Sequence, residues 1–139
     1  MYIIYNLLLI VVFIVFVLPY YTYRLFTEKG FSRRFRQSLG KVNNKEIEKV
    51  MRKDCIWIHG ASVGEIVATS PLVKQIRQEM PDRPILVSAF TVGGYNMAKQ
   101  IIPEADAIIF FPLDLPFVAE SMVKRIHPGI FMPVETELW

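Results

Sequence analysis

The sequence predicts an α/β fold, a parallel sheet covered by helices and preceded by one transmembrane helix. Three observations lead there. After Lys53, short apolar runs alternate with helical patterns, the arrangement that right-handed βαβ crossovers require. Residues 2–23 carry no charge, and they account for much of a hydrophobic fraction of 53% and a mean hydropathy of +0.32, which are high for a 139-residue domain. Charge is also divided along the chain: residues 24–53 hold ten Lys and Arg against three Glu, a net +7, whereas residues 54–139 hold six against ten, a net −4.

The apolar run "YIIYNLLLIVVFIVFVLPYYTY" is long enough to cross a hydrocarbon core of roughly 30 Å as a helix. Tyr2 and Tyr5 at one end and Tyr20, Tyr21 and Tyr23 at the other fit interfacial belts. A cleaved signal peptide would need a basic stretch before the apolar core and small residues after it, and neither is present. Residues 1–23 are therefore expected to anchor the chain. Basic residues beside a span stay on the cytoplasmic side, which places the remainder in the cytoplasm.

The basic segment 24–53 has Phe31, Phe35 and Leu39 at helical spacing among its Lys and Arg. Two readings fit: an amphipathic helix on the membrane, or a solvated helix with its apolar side on the following domain. The neighbouring span and the acidic remainder point to anionic lipid headgroups rather than nucleic acid as the partner of this charge.

Four strands are expected over "CIWIH" (55–59), "PILVSAF" (84–90), "AIIFFPL" (107–113) and "GIFMPVE" (129–135). Helices are expected between them over about 65–80, over "GYNMAKQII" (94–102), and from Pro116 to Ile126 with Val118, Met122 and Ile126 on one face. Pro71 should kink or restart the first helix. Pro133 should end pairing of the fourth strand. Cys55, the single cysteine, excludes an internal disulfide and reads as a buried, inert thiol.

The loop "GASVGE" (60–65) stands where α/β proteins often bind phosphate. It is neither G-x-G-x-x-G nor G-K-[ST], and Glu65 would repel a phosphate there. Ser62-x-x-Glu65 has the form of a capping box. A helix dipole also keeps a carboxylate ionised, and an ionised carboxylate in a crevice can accept a proton from an attacking hydroxyl, so capping and chemistry are compatible. Glu135 and Glu137 follow the fourth strand and face either solvent or ligand. The "TVGG" turn (91–94) permits close approach of a ligand or forms a tight turn. His59 can bond a ligand or satisfy loop carbonyls, and His127 reads as a connection residue. No spacing suggests a metal site or a Ser/His/acid triad.

"WIHGASVGE" (57–65), "PLDLP" (112–116) and "ETELW" (135–139), in this order behind an apolar N-terminus, resemble the 3-deoxy-D-manno-octulosonic acid (Kdo) transferases of lipopolysaccharide synthesis. The resemblance implies a GT-B glycosyltransferase, with two Rossmann-like domains facing across a cleft. The N-terminal domain receives the lipid A precursor (lipid IVA) and the C-terminal one holds CMP-Kdo. It implies an inverting, metal-free reaction with no cofactor, in which Glu65 removes the acceptor proton. Ser62, Gly64, Thr91 and Glu135 fall on the acceptor side. The domain reading is then an anchor (1–23), a basic membrane-proximal segment (24–53) and the first part of the acceptor domain (54–139), at the cell inner membrane. The chain is expected to be an N-terminal piece, inactive alone, of a longer enzyme. A non-catalytic membrane-tethered α/β binding module and a GT-B transferase with another lipid-linked acceptor are the competing readings.

Overall fold

In the computed structural model, the described residues are 30–135 together with 15, 16, 19, 20, 22 and 23. Residues 1–32 form one unit and residues 33–139 another. In the first, the Thr22 hydroxyl donates to the Pro19 carbonyl at 2.8 Å, and Val15, Phe16, Tyr20 and Tyr23 are exposed. The span expected over 1–23 lies outside the described residues except at those six positions. Among the described residues no helix is long and apolar enough to cross a membrane.

The elements follow the expected alternation. They are α1 (Phe31–Ser38), α2 (Asn44–Ile47), β1 (Ile56–Gly60), α3 (Val63–Glu79), β2 (Ile85–Ala89), α4 (Val92–Ile101), β3 (Ala107–Phe110), α5 (Pro116–Ile126) and β4 (Ile130–Pro133). The sheet has the order β3-β2-β1-β4 and every pairing is parallel. This is the opening order of a doubly wound fold, and the strand order reverses between β1 and β4.

Alternation along each strand divides the core in two. Ile56, Ile58, Ile85, Val87, Ala89 and Phe110 face α3 and α4, packing with Ile66, Val73, Tyr95 and Ala98. Trp57, Leu86, Ala107 and Ile109 face the other way and pack with Ile47, Val50, Met122 and Ile126. Both faces of β1, β2 and β3 are thus covered, which explains why these strands read as continuous apolar runs, while Ile130 and Phe131 of the edge strand β4 stay exposed. Each fully buried Ile, Leu or Val contributes about 1.5–3 kcal/mol of transfer free energy.

Three expectations are refined. Helix α3 begins at Val63, two residues before the expected start, because Ser62 is its N-cap, and it runs through Pro71 as one element. β3 stops at Phe110, ahead of Pro112, rather than at Leu113. β4 ends at Pro133, as the missing N–H predicts, and Val134 makes the last bond, its N–H donating to the His59 carbonyl at 2.9 Å.

The segment after Ser32 packs through a polar residue. Gln37 is 2% exposed; its Oε1 accepts the Phe110 N–H at 2.9 Å and its Nε2 donates to Glu46 at 2.6 Å. The Leu113 N–H donates to the Ser38 carbonyl at 2.8 Å. This part of the basic segment is therefore built into the α/β unit at the end of β3. Phe35, 51% exposed, remains on the outer side.

Candidate active site

β1 leads through Ala61 and Ser62 into α3, and the small residues there let the first helical turn fold over the strand end. A Cβ at Gly60 would lie 3.2 Å from Ile66 Cδ1 and 3.3 Å from Glu65 Cβ. Ser62 caps the helix, with the Glu65 N–H donating to its Oγ at 3.4 Å. Glu65 reciprocates: Oε1 accepts the Ser62 N–H at 3.1 Å and the Ser62 hydroxyl at 2.5 Å, and Oε2 accepts the Ala61 N–H at 2.7 Å. Burial pulls the Glu65 carboxyl upward, but the bonds from Ser62 and Ala61, with the nearby charge of His59, outweigh it and leave the carboxyl below its ordinary value.

Ala61 also ties two loops together. Its carbonyl accepts the N–H groups of Phe90 and Thr91 and the Thr91 hydroxyl, each at 3.2 Å. Thr91 is the N-cap of α4, its Oγ accepting the Gly94 N–H at 3.0 Å. A Cβ at Gly94 would lie 3.0 Å from that Oγ and 3.4 Å from the Ala61 carbonyl. The second glycine of the TVGG turn is therefore required for close packing of the two loops.

On the α2/α5 face of the sheet a cavity of about 620 Å³ opens at the carboxyl ends of the strands. Its wall includes His59, Ala61, Phe90, Phe131, Asp114 and Glu135. β1 and β4, the pair flanking the reversal of strand order, supply His59 and Phe131, which is the place where such sheets bind ligands. The His59 ring stacks on Phe111 with centroids 3.9 Å apart. Its Nδ1 lies 3.0 Å from Ser88 Oγ and 3.2 Å from the Ser88 carbonyl oxygen. Trp57 Nε1–H donates to the same Oγ at 2.8 Å. A carbonyl oxygen can only accept, so the arrangement satisfying both contacts puts a proton on Nδ1.

The predicted residues therefore fall into two groups. Glu135 lines the cavity; Ser62 and Thr91 cap α3 and α4 in the two loops joined through Ala61, Gly64 and Glu65 lie in the first turn of α3, and of this group only the neighbouring Ala61 is on the cavity wall. Glu137 lies outside the described residues. His59, read as bonding a ligand or satisfying loop carbonyls, lines the cavity and contacts the hydroxyl and carbonyl of a strand serine. His127 ends α5 in the left-handed region with φ 52°. Among the described residues no group of three His, Cys, Asp or Glu is placed to hold a metal ion. Sequence reasoning missed Ser88, Phe90, Phe111, Phe131 and Asp114; the available signals were a serine inside the apolar run PILVSAF and the aspartate of PLDLP.

A parallel α/β domain with a cavity at its switch point, lined by the Ala61 whose amide donates to the helix-capping carboxylate, is of the doubly wound class. Comparison with known proteins narrows this. The family described as 3-Deoxy-D-manno-octulosonic-acid transferase (kdotransferase) matches residues 32–139, and the chain belongs to that family. It is similar to the 3-deoxy-D-manno-octulosonic acid transferase of Haemophilus influenzae, 38% identical over 84 residues that make up 60% of this chain and 20% of the relative. It is also similar to that of Chlamydia muridarum, 35% identical over 85 residues (60% and 20%), and that of Rickettsia felis, 30% identical over 108 residues (78% and 23%). The chain spans about a fifth of the length of these curated relatives.

Proposed function

We propose that the chain forms the acceptor side of a GT-B glycosyltransferase that moves Kdo from CMP-Kdo to the lipid A precursor (lipid IVA) in lipopolysaccharide biosynthesis, with inversion and Glu65 as general base. The observation that carries this reading is the hydrogen bonding of Glu65. An ionised carboxylate has about four lone-pair sites. Oε1 takes two donors and Oε2 one, so the cap leaves Oε2 able to accept a further proton. Capping and base catalysis can share the side chain.

The same bonds that keep Glu65 ionised make it a weak base toward a sugar hydroxyl. Proton removal is therefore concerted with attack on the anomeric carbon, whose bond to phosphate breaks with its electron pair leaving on CMP. Ser62 and Ala61 orient the carboxylate, Thr91 and Gly94 hold the second loop against it, and Glu135 contacts the acceptor from the cavity. Residues 1–23 anchor this assembly in the inner membrane with residues 33–139 in the cytoplasm. The basic segment meets anionic lipid headgroups at about 1 kcal/mol per Lys or Arg near the surface.

The test uses the full-length transferase, meaning this chain joined to the remaining length that its relatives possess. Incubation with CMP-Kdo and lipid IVA should add the mass of Kdo to the lipid and release CMP. Release of CMP without a Kdo-bearing lipid, or no reaction at all, rules the reading out.

A further inference from the structure

The loop that braces the Glu65 cap is held through a single oxygen. The N–H groups of Phe90 and Thr91 and the Thr91 hydroxyl all donate to the Ala61 carbonyl, each at 3.2 Å. A carbonyl oxygen has two lone pairs, so three donors compete for them, and the bonds lie at the long end of the usual range. The Ala61 carbonyl and the Ser62 N–H belong to one planar peptide group. A shift of the loop therefore tilts the amide that donates to Glu65 Oε1 at 3.1 Å, next to the Ala61 amide that donates to Oε2 at 2.7 Å.

Two consecutive arginines of α1 grip this loop from outside. Arg34 lies over the Phe90 ring, 4.8 Å from its centroid, and Arg33 Nη1 donates to the Tyr95 hydroxyl at 3.1 Å. Phe90 and Tyr95 stand on either side of the Thr91 cap, whose carbonyl accepts the Tyr95 N–H at 3.0 Å. The platform is firm. Tyr95 is buried and stacks on Phe110 with centroids 4.3 Å apart, and Gln37 of the arginines' own helix accepts the Phe110 N–H.

We propose, resting on the transferase reading above, that Arg34, with Arg33 beside it, is a positioning residue for Glu65: the two guanidiniums clamp the segment from Phe90 to Tyr95, and that segment fixes the Ala61–Ser62 peptide that orients the carboxylate. The charge acting directly on Glu65 is that of His59, from β1. The arginines act by packing, one on a ring face and one on a hydroxyl. They thereby connect the basic segment, through one loop, to the base.

Solution NMR on the full chain reads this coupling, because the Ala61 and Ser62 amide protons follow the protonation of the carboxylate they bond. In Arg34→Met, which keeps an unbranched stem and loses the cation, the Phe90 and Thr91 amides should exchange about tenfold faster. Glu65 should titrate at higher pH in that variant, since loosened bonds from Ser62 and Ala61 lower it less. Adding Arg33→Met should enlarge both changes, and Arg34→Lys, which keeps a cation over the ring, should reverse most of them. Phe90→Leu retains the charge of Arg34 and should shift the titration in the same direction. It separates packing from field and reports even where Arg34→Met does not fold. Arg77→Met, which breaks the ion pair with Asp106 at the amino ends of β2 and β3, should lower the Tm and leave the Glu65 titration in place. A titration unmoved by both Arg34→Met and Phe90→Leu, or moved as far by Arg77→Met, overturns the proposal. In the full-length transferase, Arg34→Met should lower kcat about tenfold with little change in the KM for CMP-Kdo, and its loss of kcat on acidification should begin at higher pH. Turnover equal to the parent's removes the positioning role alone, whereas a shifted titration with no Kdo transfer by the unaltered enzyme removes the transferase reading.

Discussion

The Ala61 amide donates to Glu65 Oε2 at 2.7 Å, so the backbone that enters helix α3 holds the carboxylate proposed to serve as its base. Ala61 also borders the cavity and accepts bonds from the loop after β2. One short residue therefore couples the cap, the second loop and the cavity wall.

Stability should depend on this cap. Ser62→Ala removes the hydroxyl that caps α3 and should cost about 0.5–2 kcal/mol, read as a lower midpoint in urea. The Glu65 carboxyl lies below its ordinary value when folded, so its contribution is fully present above that ordinary value, near pH 4.3, and is lost as pH falls through the folded value. In Ser62→Ala one of the lowering bonds is gone, and the acid loss should begin at higher pH. An unchanged acid limb would show that the hydroxyl does not hold the carboxylate.

Gln37→Leu should destabilise the α/β unit by about 1–3 kcal/mol, because the Phe110 N–H at the end of β3 loses its acceptor in a buried setting. A variant as stable as the parent in urea would mean that α1 is not part of the unit.

Gly94→Ala introduces a Cβ 3.0 Å from Thr91 Oγ and 3.3 Å from Ala89 Cβ. The overpacking should cost about 1–3 kcal/mol and loosen the cap of α4, measurable as a lower Tm and faster amide exchange at Gly94. Full protection of that amide would contradict the close packing described.

Cys55 is fully buried, and burial pushes its thiol up to about 11. Iodoacetamide at pH 8 should therefore leave it intact in the folded chain and alkylate it readily in urea, since the thiolate is the reactive form. Rapid labelling of the native chain would show that the start of β1 opens.

The sheet was legible because both faces of its inner strands are covered: PILVSAF and AIIFFPL are apolar but for Ser88, as parallel strands between helix layers must be. Pro116 to Ile126 was readable to the residue, since proline starts that helix and Val118, Met122 and Ile126 share its buried face. Ser62 and Glu65 announced their own bond through spacing alone. The cavity was not legible, because Phe90 and Phe111 follow β2 and β3 while Phe131 lies within β4, and only the parallel register brings them together. The buried side of α1 was legible only in part: of the stripe Phe31, Phe35 and Leu39, Phe31 is buried and Phe35 exposed, and the buried glutamine that satisfies a strand end gave no sign in the sequence. That requirement exists only once β3 is in place.

The most direct test is the turnover of Glu65→Gln in the full-length transferase, with CMP-Kdo and lipid IVA as substrates. Glutamine can still accept the Ala61 or Ser62 amide, so the cap and the Tm should be nearly retained, while kcat should fall by about 10²–10⁴. Turnover within a few-fold of the parent, in a variant that folds normally, would assign Glu65 to the helix cap alone and contradict its role as the base.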